Sequence, residues 1–222
     1  MRIIKKKNEN LLINELLKIL KREILKKKRM NKRISFVLTG GSSPKALYTK
    51  LSKTKIDWSN VDLFWGDERF VSKKSKYSNF NLAFNLLIKK INVRKENIFS
   101  YNVDTKNIKK SSIEYQNTIR KYFKKKPIKF DIFLLGMGVD GHIVSIFPGS
   151  KEIKEKFITK PIIRKDFKRI TLSLNTINNS KKIFLWLNNK NKTNIYHRNL
   201  VKGKNIPVNN LNKKKLFCFT VN

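Results

Sequence analysis

The sequence predicts an α/β fold built on a mostly parallel sheet. Short apolar runs alternate with stretches of helical spacing, the pattern of strands joined by crossover helices. The run Phe130–Leu135 is almost unbroken in apolar character, as a parallel strand covered on both faces is. Three runs also end in polar, glycine-bearing turns, and open parallel sheets bind ligands beyond the carboxyl ends of their strands.

The elements follow in order. Leu12, Leu16, Ile19, Leu20 and Ile24 recur at helical spacing, so Glu9–Lys28 reads as an amphipathic helix. Ile34–Thr39 is a strand ending in Gly40-Gly41-Ser42-Ser43-Pro44. Ala46, Leu47 and Leu51 then resume helical spacing, with Ser43 as N-cap and Pro44 at the first helical position. Val61–Trp65 is a strand running into a turn, Gly66-Asp67-Glu68-Arg69-Phe70. Ser78 caps a helix over Asn79–Lys89 that buries Phe80, Ala83, Phe84 and Leu87. Ile98–Tyr101 is a short strand. Asn107–Phe123 is a helix, ended by Lys124–Lys126 and Pro127. Beyond Phe130–Leu135, Ile170–Leu174 and Ile183–Leu187 are strands, Asn191–Leu200 is a helix and Leu216–Val221 a last strand.

The 222 residues are 40% hydrophobic, enough for one sizeable core, and no linker or repeat divides them. A single domain over 1–222 is expected. No run approaches the ~18–20 apolar residues of a membrane helix. The basic start (Arg2, Lys5–Lys7) lacks an apolar signal core. The lone Cys218 sits in an apolar run and reads as a small buried hydrophobe in a reducing compartment. A cytoplasmic location is therefore expected.

The net charge is +37, from 52 Lys+Arg against 15 Asp+Glu. A nucleic-acid-binding protein would gather these charges into a patch interleaved with stacking aromatics. Here the lysines scatter along the chain beside Asn and Ile, as coding bias in an AT-rich genome produces. The expectation is no specific nucleic-acid partner. A positive field still favours encounter with anionic substrates such as sugar phosphates.

Three turns carry chemistry. In Gly40–Pro44, two glycines allow close approach of a ligand, and the free N–H groups before the helix suit phosphate. Such a string alone is more often an ordinary strand–helix turn. It is neither a Walker loop nor a dinucleotide fingerprint. In Trp65–Phe70, Arg69 suits a bidentate phosphate contact, and Asp67 and Glu68 suit a base-orienting or hydroxyl-binding role. An isolated Asp-Glu-Arg would instead be a surface ion pair. In Gly136-Met137-Gly138-Val139-Asp140-Gly141-His142, the histidine follows a buried strand and a glycine-rich turn, with Asp140 two residues earlier. A lone histidine is usually structural, but this setting favours a general base. His197, the other histidine, lies in a polar stretch and reads as solvent-exposed. No second His or Cys stands at ligand spacing, which argues against zinc. Ser145 lies in no Gly-x-Ser-x-Gly elbow, which argues against a serine-hydrolase triad.

Taken in order, the motifs resemble those of the 6-phosphogluconolactonase family. The matching strings are Thr39–Pro44 with Leu47-Tyr48, Trp65–Val71, Ser78–Ala83, Phe130-Asp131 through Leu134–Gly138, Asp140–His142, Ser145–Pro148, and Arg169–Leu172. They span roughly residues 34–192. The resemblance implies a Rossmann-like three-layer α/β sandwich, shared with glucosamine-6-phosphate deaminase and ribose-5-phosphate isomerase. It implies hydrolysis of 6-phospho-D-glucono-1,5-lactone to 6-phosphogluconate with no cofactor and no metal. No membrane partner is expected, and the chain is expected to act as a monomer or homodimer. His142 would be the base, with Asp140 or Asp67 orienting it or the sugar hydroxyls. Gly40, Gly41, Ser42, Ser43, Arg69, Lys192 and, more weakly, Arg169 would hold the phosphate.

The chain also departs from the family pattern. Ile143-Val144 stands where Thr-Ala commonly follows the histidine, Asn189 replaces a glycine before Lys192, and Pro207-Val208-Asn209 replaces Pro-Ala-Ser. The nearest rival reading is a sugar-phosphate deaminase of the same fold. Against it stands Trp65–Val71, where a deaminase-like site would show a Leu-Asp-Glu-Tyr type of string.

Overall fold

The computed structural model describes residues 1–124 and 126–222. Seven strands form an entirely parallel sheet: β1 (Arg2–Lys6), β2 (Ile34–Leu38), β3 (Val61–Trp65), β5 (Ile98–Phe99), β6 (Ile132–Leu135), β9 (Lys182–Leu187) and β10 (Leu216–Val221). Their order across the sheet is β1-β10-β9-β6-β2-β3-β5. Every residue of β2, β3 and β6 is buried. Successive side chains of a strand point to opposite faces, so both faces are covered, as the unbroken apolar runs require. The covering elements include α1 (Glu9–Arg29), α2 (Lys45–Leu51), α3 (Asn79–Leu86), α4 (Ile108–Tyr122), α5 (Leu174–Asn179) and α6 (Lys190–Leu200).

The chain winds outward from β2 through β3 to β5, then returns to lay β6, β9 and β10 on the other side of β2. The winding therefore reverses between β2 and β6. At such a point the loops leaving two adjacent strands diverge and open a crevice. Here the two loops are Gly40–Pro44 and Gly136–His142. They are tied to each other, since Gly136 N donates to Thr39 Oγ1 (3.1 Å).

Two tyrosines fix the strand ends that feed the site. The Tyr48 hydroxyl accepts from Thr39 N (3.0 Å) and donates to Thr39 O (2.6 Å). The Tyr115 hydroxyl does the same for Trp65 N (2.9 Å) and O (3.1 Å). Each buried phenol pairs backbone groups at the point where a strand of the sheet ends. Burial raises both phenols well above their ordinary pKa, so both stay protonated donors.

Several expectations are corrected. Asp67–Arg69 is not a turn but a short strand, β4. It pairs antiparallel with β8 (Lys168–Leu172), which pairs with β7 (Thr159–Ile163) in a separate three-stranded sheet. The Ile170 run thus belongs to this small sheet and not to the parallel one. Pro44, not Ser43, occupies the cap of α2, and no side chain caps it. The Ser43 carbonyl is instead held by Trp186 Nε1 (3.1 Å). Helix α3 ends at Leu86, and Phe84 on it is exposed. Cys218 is buried as expected, and no helix among the described residues is long and apolar enough to cross a membrane.

Candidate active site

The crevice at the switch between β2 and β6 holds a pocket of about 190 Å³. The loop after β2 contributes Thr39 to Ser43, and β4 contributes Asp67 and Arg69. Asn79 enters from the start of α3, Gly136 to Gly138 with His142 and Val144 from the loop after β6, and Lys192 from α6. Eight of the ten site residues expected from sequence line this pocket, and Asp140 joins them through its contact with His142. The tenth, Arg169, is not brought into the pocket. Although it lies opposite Arg69 in the β4–β8 pairing, its guanidinium is held by both carboxylate oxygens of Asp166 (2.8 and 2.6 Å).

The loop after β6 is closed on itself. Gly138 N donates to His142 O (2.9 Å) and Gly141 N to Gly138 O (3.1 Å). This turn folds the imidazole back over Gly138. A Cβ at residue 138 would lie 2.1 Å from both Nδ1 and Cε1 of His142, so glycine there is what lets the imidazole take this place. Asp140 Oδ1 receives the backbone N–H of His142 (3.1 Å) and sits 2.7 Å from its Nδ1. Burial pushes the Asp140 carboxyl up, but these two contacts outweigh it and hold the group below its ordinary range. An ionised Asp140 keeps the proton on Nδ1 and leaves the Nε2 lone pair free, the tautomer a base needs. Of the two carboxylates offered as orienting groups, Asp140 is the one in contact with His142. The Asp67 carboxylate instead receives Ser145 Oγ (2.6 Å) and Asn79 Nδ2 (3.3 Å).

The same pocket is lined by two cations, Arg69 and Lys192. Arg69 is steadied by the Tyr77 carbonyl (2.9 Å) and Asn79 Oδ1 (3.1 Å), both taken by one guanidinium nitrogen, Nη1. Lys192 donates from Nζ to the Met137 carbonyl. Its burial lowers the ammonium pKa, opposed by Asp140. Among the described residues, the backbone N–H groups of Gly41, Ser42 and Ser43 have no protein acceptor. Free N–H groups and two cations lining one pocket can take up an anion with several oxygens.

Asn79 was assigned no role from sequence. Its signal was Gly40, read there as room for a ligand. A Cβ at residue 40 would lie 1.8 Å from Asn79 Oδ1, so Gly40 makes room for Asn79.

The family model for glucosamine-6-phosphate isomerases/6-phosphogluconolactonase matches residues 7–218. The chain belongs to this family. It is similar to the 6-phosphogluconolactonase of a Nostoc species, 32% identical over 166 residues, which cover 72% of this chain and 68% of that protein. The crystal structure of 6-phosphogluconolactonase from Thermotoga maritima superposes with a TM-score of 0.81 at 25% identity, over 99% of this chain and 97% of that one. A monomeric glucosamine-6-phosphate deaminase gives a TM-score of 0.82 at 19% identity, over 100% of this chain and 97% of that one. At that identity the last likeness shows the fold alone. The mostly parallel α/β architecture is that of the family, and shape by itself does not separate its lactonase and deaminase members.

Proposed function

We propose that this chain hydrolyses 6-phospho-D-glucono-1,5-lactone to 6-phospho-D-gluconate, with His142 as general base. One observation carries the reading. The His142–Asp140 pair (2.7 Å) and the cationic group of Arg69, Lys192 and the Gly41–Ser43 N–H donors face a single pocket. A substrate that carries both an electrophilic carbonyl and a phosphate matches this set of groups.

His142 Nε2 takes a proton from water as the hydroxide adds to the lactone carbonyl. The tetrahedral oxyanion is met by N–H donors of the glycine-rich loops. It collapses by expelling the ring oxygen, which leaves as a hydroxyl on receiving the proton from His142. The product acid then ionises. Asp140 orients the imidazole, and Asp67 suits the sugar hydroxyls. The reading treats residues 1–222 as one catalytic domain, acting in the cytoplasm as a monomer or homodimer.

A lactonase assay coupled to 6-phosphogluconate dehydrogenase, corrected for spontaneous hydrolysis, tests the activity. Ammonia release from glucosamine 6-phosphate, with no lactone hydrolysis above the spontaneous rate, would instead establish the deaminase reading.

A further inference from the structure

We infer that Glu68 is a positioning residue for substrate phosphate, acting through Asn79 and Arg69. The inference rests on the reading of Arg69 as a phosphate anchor. Glu68 is 3% exposed and does not line the pocket. Its carboxylate gathers four donors from two elements. Oε1 accepts from Arg69 N (2.8 Å) and Asn79 N (2.7 Å). Oε2 accepts from Phe80 N (2.7 Å) and Ser78 Oγ (3.1 Å). One carboxylate thus ties the end of β4 to the first turn of α3.

Two hydrogen bonds carry that tie into the pocket. Asn79 Oδ1 receives Arg69 Nη1, and Asn79 Nδ2 donates to Asp67 O (3.0 Å). The separation of β4 from α3, which Glu68 sets, decides where the guanidinium points. Helix capping alone does not account for Glu68, since Ser78 Oγ already accepts from Asn81 N (3.1 Å). Among the described residues, no Lys, Arg or His lies within ion-pair distance of Glu68. Burial, with Asp67 adding to it and three N–H donors opposing it, pushes the carboxyl up to about 7. The charge of Glu68 in turn helps raise the buried Tyr101 phenol. A buried carboxylate without a cationic partner costs stability, and the orientation of Arg69 is what it secures in return.

The test compares kcat/KM for 6-phosphogluconolactone with that for unphosphorylated glucono-1,5-lactone, in the full-length chain. Glu68→Gln replaces one acceptor oxygen with an NH₂ facing the N–H donors. It should lower the phosphorylated-to-unphosphorylated ratio about tenfold, mainly through KM, because misplaced binding groups lose their effect steeply with distance. In an Arg69→Ala background the same change should move the ratio less than about twofold, since coupled residues are non-additive. If Arg69→Ala lowers the ratio but Glu68→Gln does not, or if the two effects multiply, the positioning role is wrong and the anchor stands. If Arg69→Ala leaves the ratio unchanged, the anchor reading itself fails. Should Glu68→Gln not fold, Asn79→Ala cuts the same link. It must lower the ratio in wild type and not in Arg69→Ala, and an unchanged ratio overturns the proposal.

Discussion

Gly138→Ala tests whether His142 works from the position seen here. The new Cβ would stand 2.1 Å from Nδ1 and Cε1 of the imidazole and 2.8 Å from Asp140 Oδ1. Ordinary carbon contacts lie at about 3.5–4.0 Å, so the ring must retreat by about 1.5 Å. Gly138 is not among the residues with positive φ, so alanine is tolerated by the backbone and the strain falls on the side chains. A displacement of about 1 Å in a reacting group can cost ~10²-fold, and general-base catalysis contributes ~10²–10⁴-fold in all. The expected result is a fall in kcat of about 10²-fold, with KM changed much less and a stability loss of about 1–2 kcal/mol. Coupled lactonase rates, corrected for spontaneous hydrolysis, and a thermal melt measure the two effects. A folded Gly138→Ala variant with kcat within about twofold of wild type would refute the geometry assigned to the base.

Three further outcomes are expected. Tyr48→Phe leaves the N–H and C=O of Thr39 unpaired in the interior, and each such group costs about 1–3 kcal/mol. Urea unfolding should show a loss of about 2–4 kcal/mol, and a loss below about 0.5 kcal/mol would contradict the pinning role. Glu68 makes stability pH-dependent. Its carboxyl is raised from 4.5 to about 7 on folding, so between those values the folded chain holds a proton that the unfolded chain has lost. Its contribution is fully present below pH 4.5 and is lost as pH rises through 7, by on the order of 3 kcal/mol. Unfolding free energies of wild type and Glu68→Gln should therefore diverge with pH, the variant gaining relative stability as pH rises. Parallel pH curves would contradict this. The Cys218 thiol, buried in β10 and pushed up to about 12 by burial, should resist a thiol reagent in the native chain and react on unfolding. Rapid labelling of the native protein would place β10 differently.

The parallel sheet was legible because its strands are buried on both faces, and such strands read as unbroken apolar runs. Helices α1 and α3 announced themselves through apolar spacing, and α3 also through its Ser78 cap. The strands that escaped are those without an apolar signature. Strand β1 is an edge strand of sequence RIIKK with one buried residue, and β7 contains Pro161. Strand β4, Asp67–Arg69, is polar throughout and is extended only because β8 pairs with it about a hundred residues later. The site was legible where one short segment builds it, as with Asp140, Gly141 and His142. It was not where partners are distant in sequence. Nothing local says that Asp166 would claim Arg169 while Arg69, opposite it, turns toward Asn79. Nor does Ser43 reveal that Trp186 will hold its carbonyl and leave the cap to Pro44. The departure at Ile143-Val144 also acquires a shape. Val144 adopts φ +47°, costly for a β-branched residue, and lines the pocket beside His142.

The most direct measurement is the lactonase rate of purified wild type and His142→Ala on freshly made 6-phosphogluconolactone, coupled to 6-phosphogluconate dehydrogenase. Wild type should exceed the spontaneous rate clearly, and His142→Ala should lose about 10²–10⁴-fold in kcat while remaining folded. A variant that keeps full activity would remove His142 from the mechanism. A wild-type chain no faster than spontaneous hydrolysis would contradict the proposed activity.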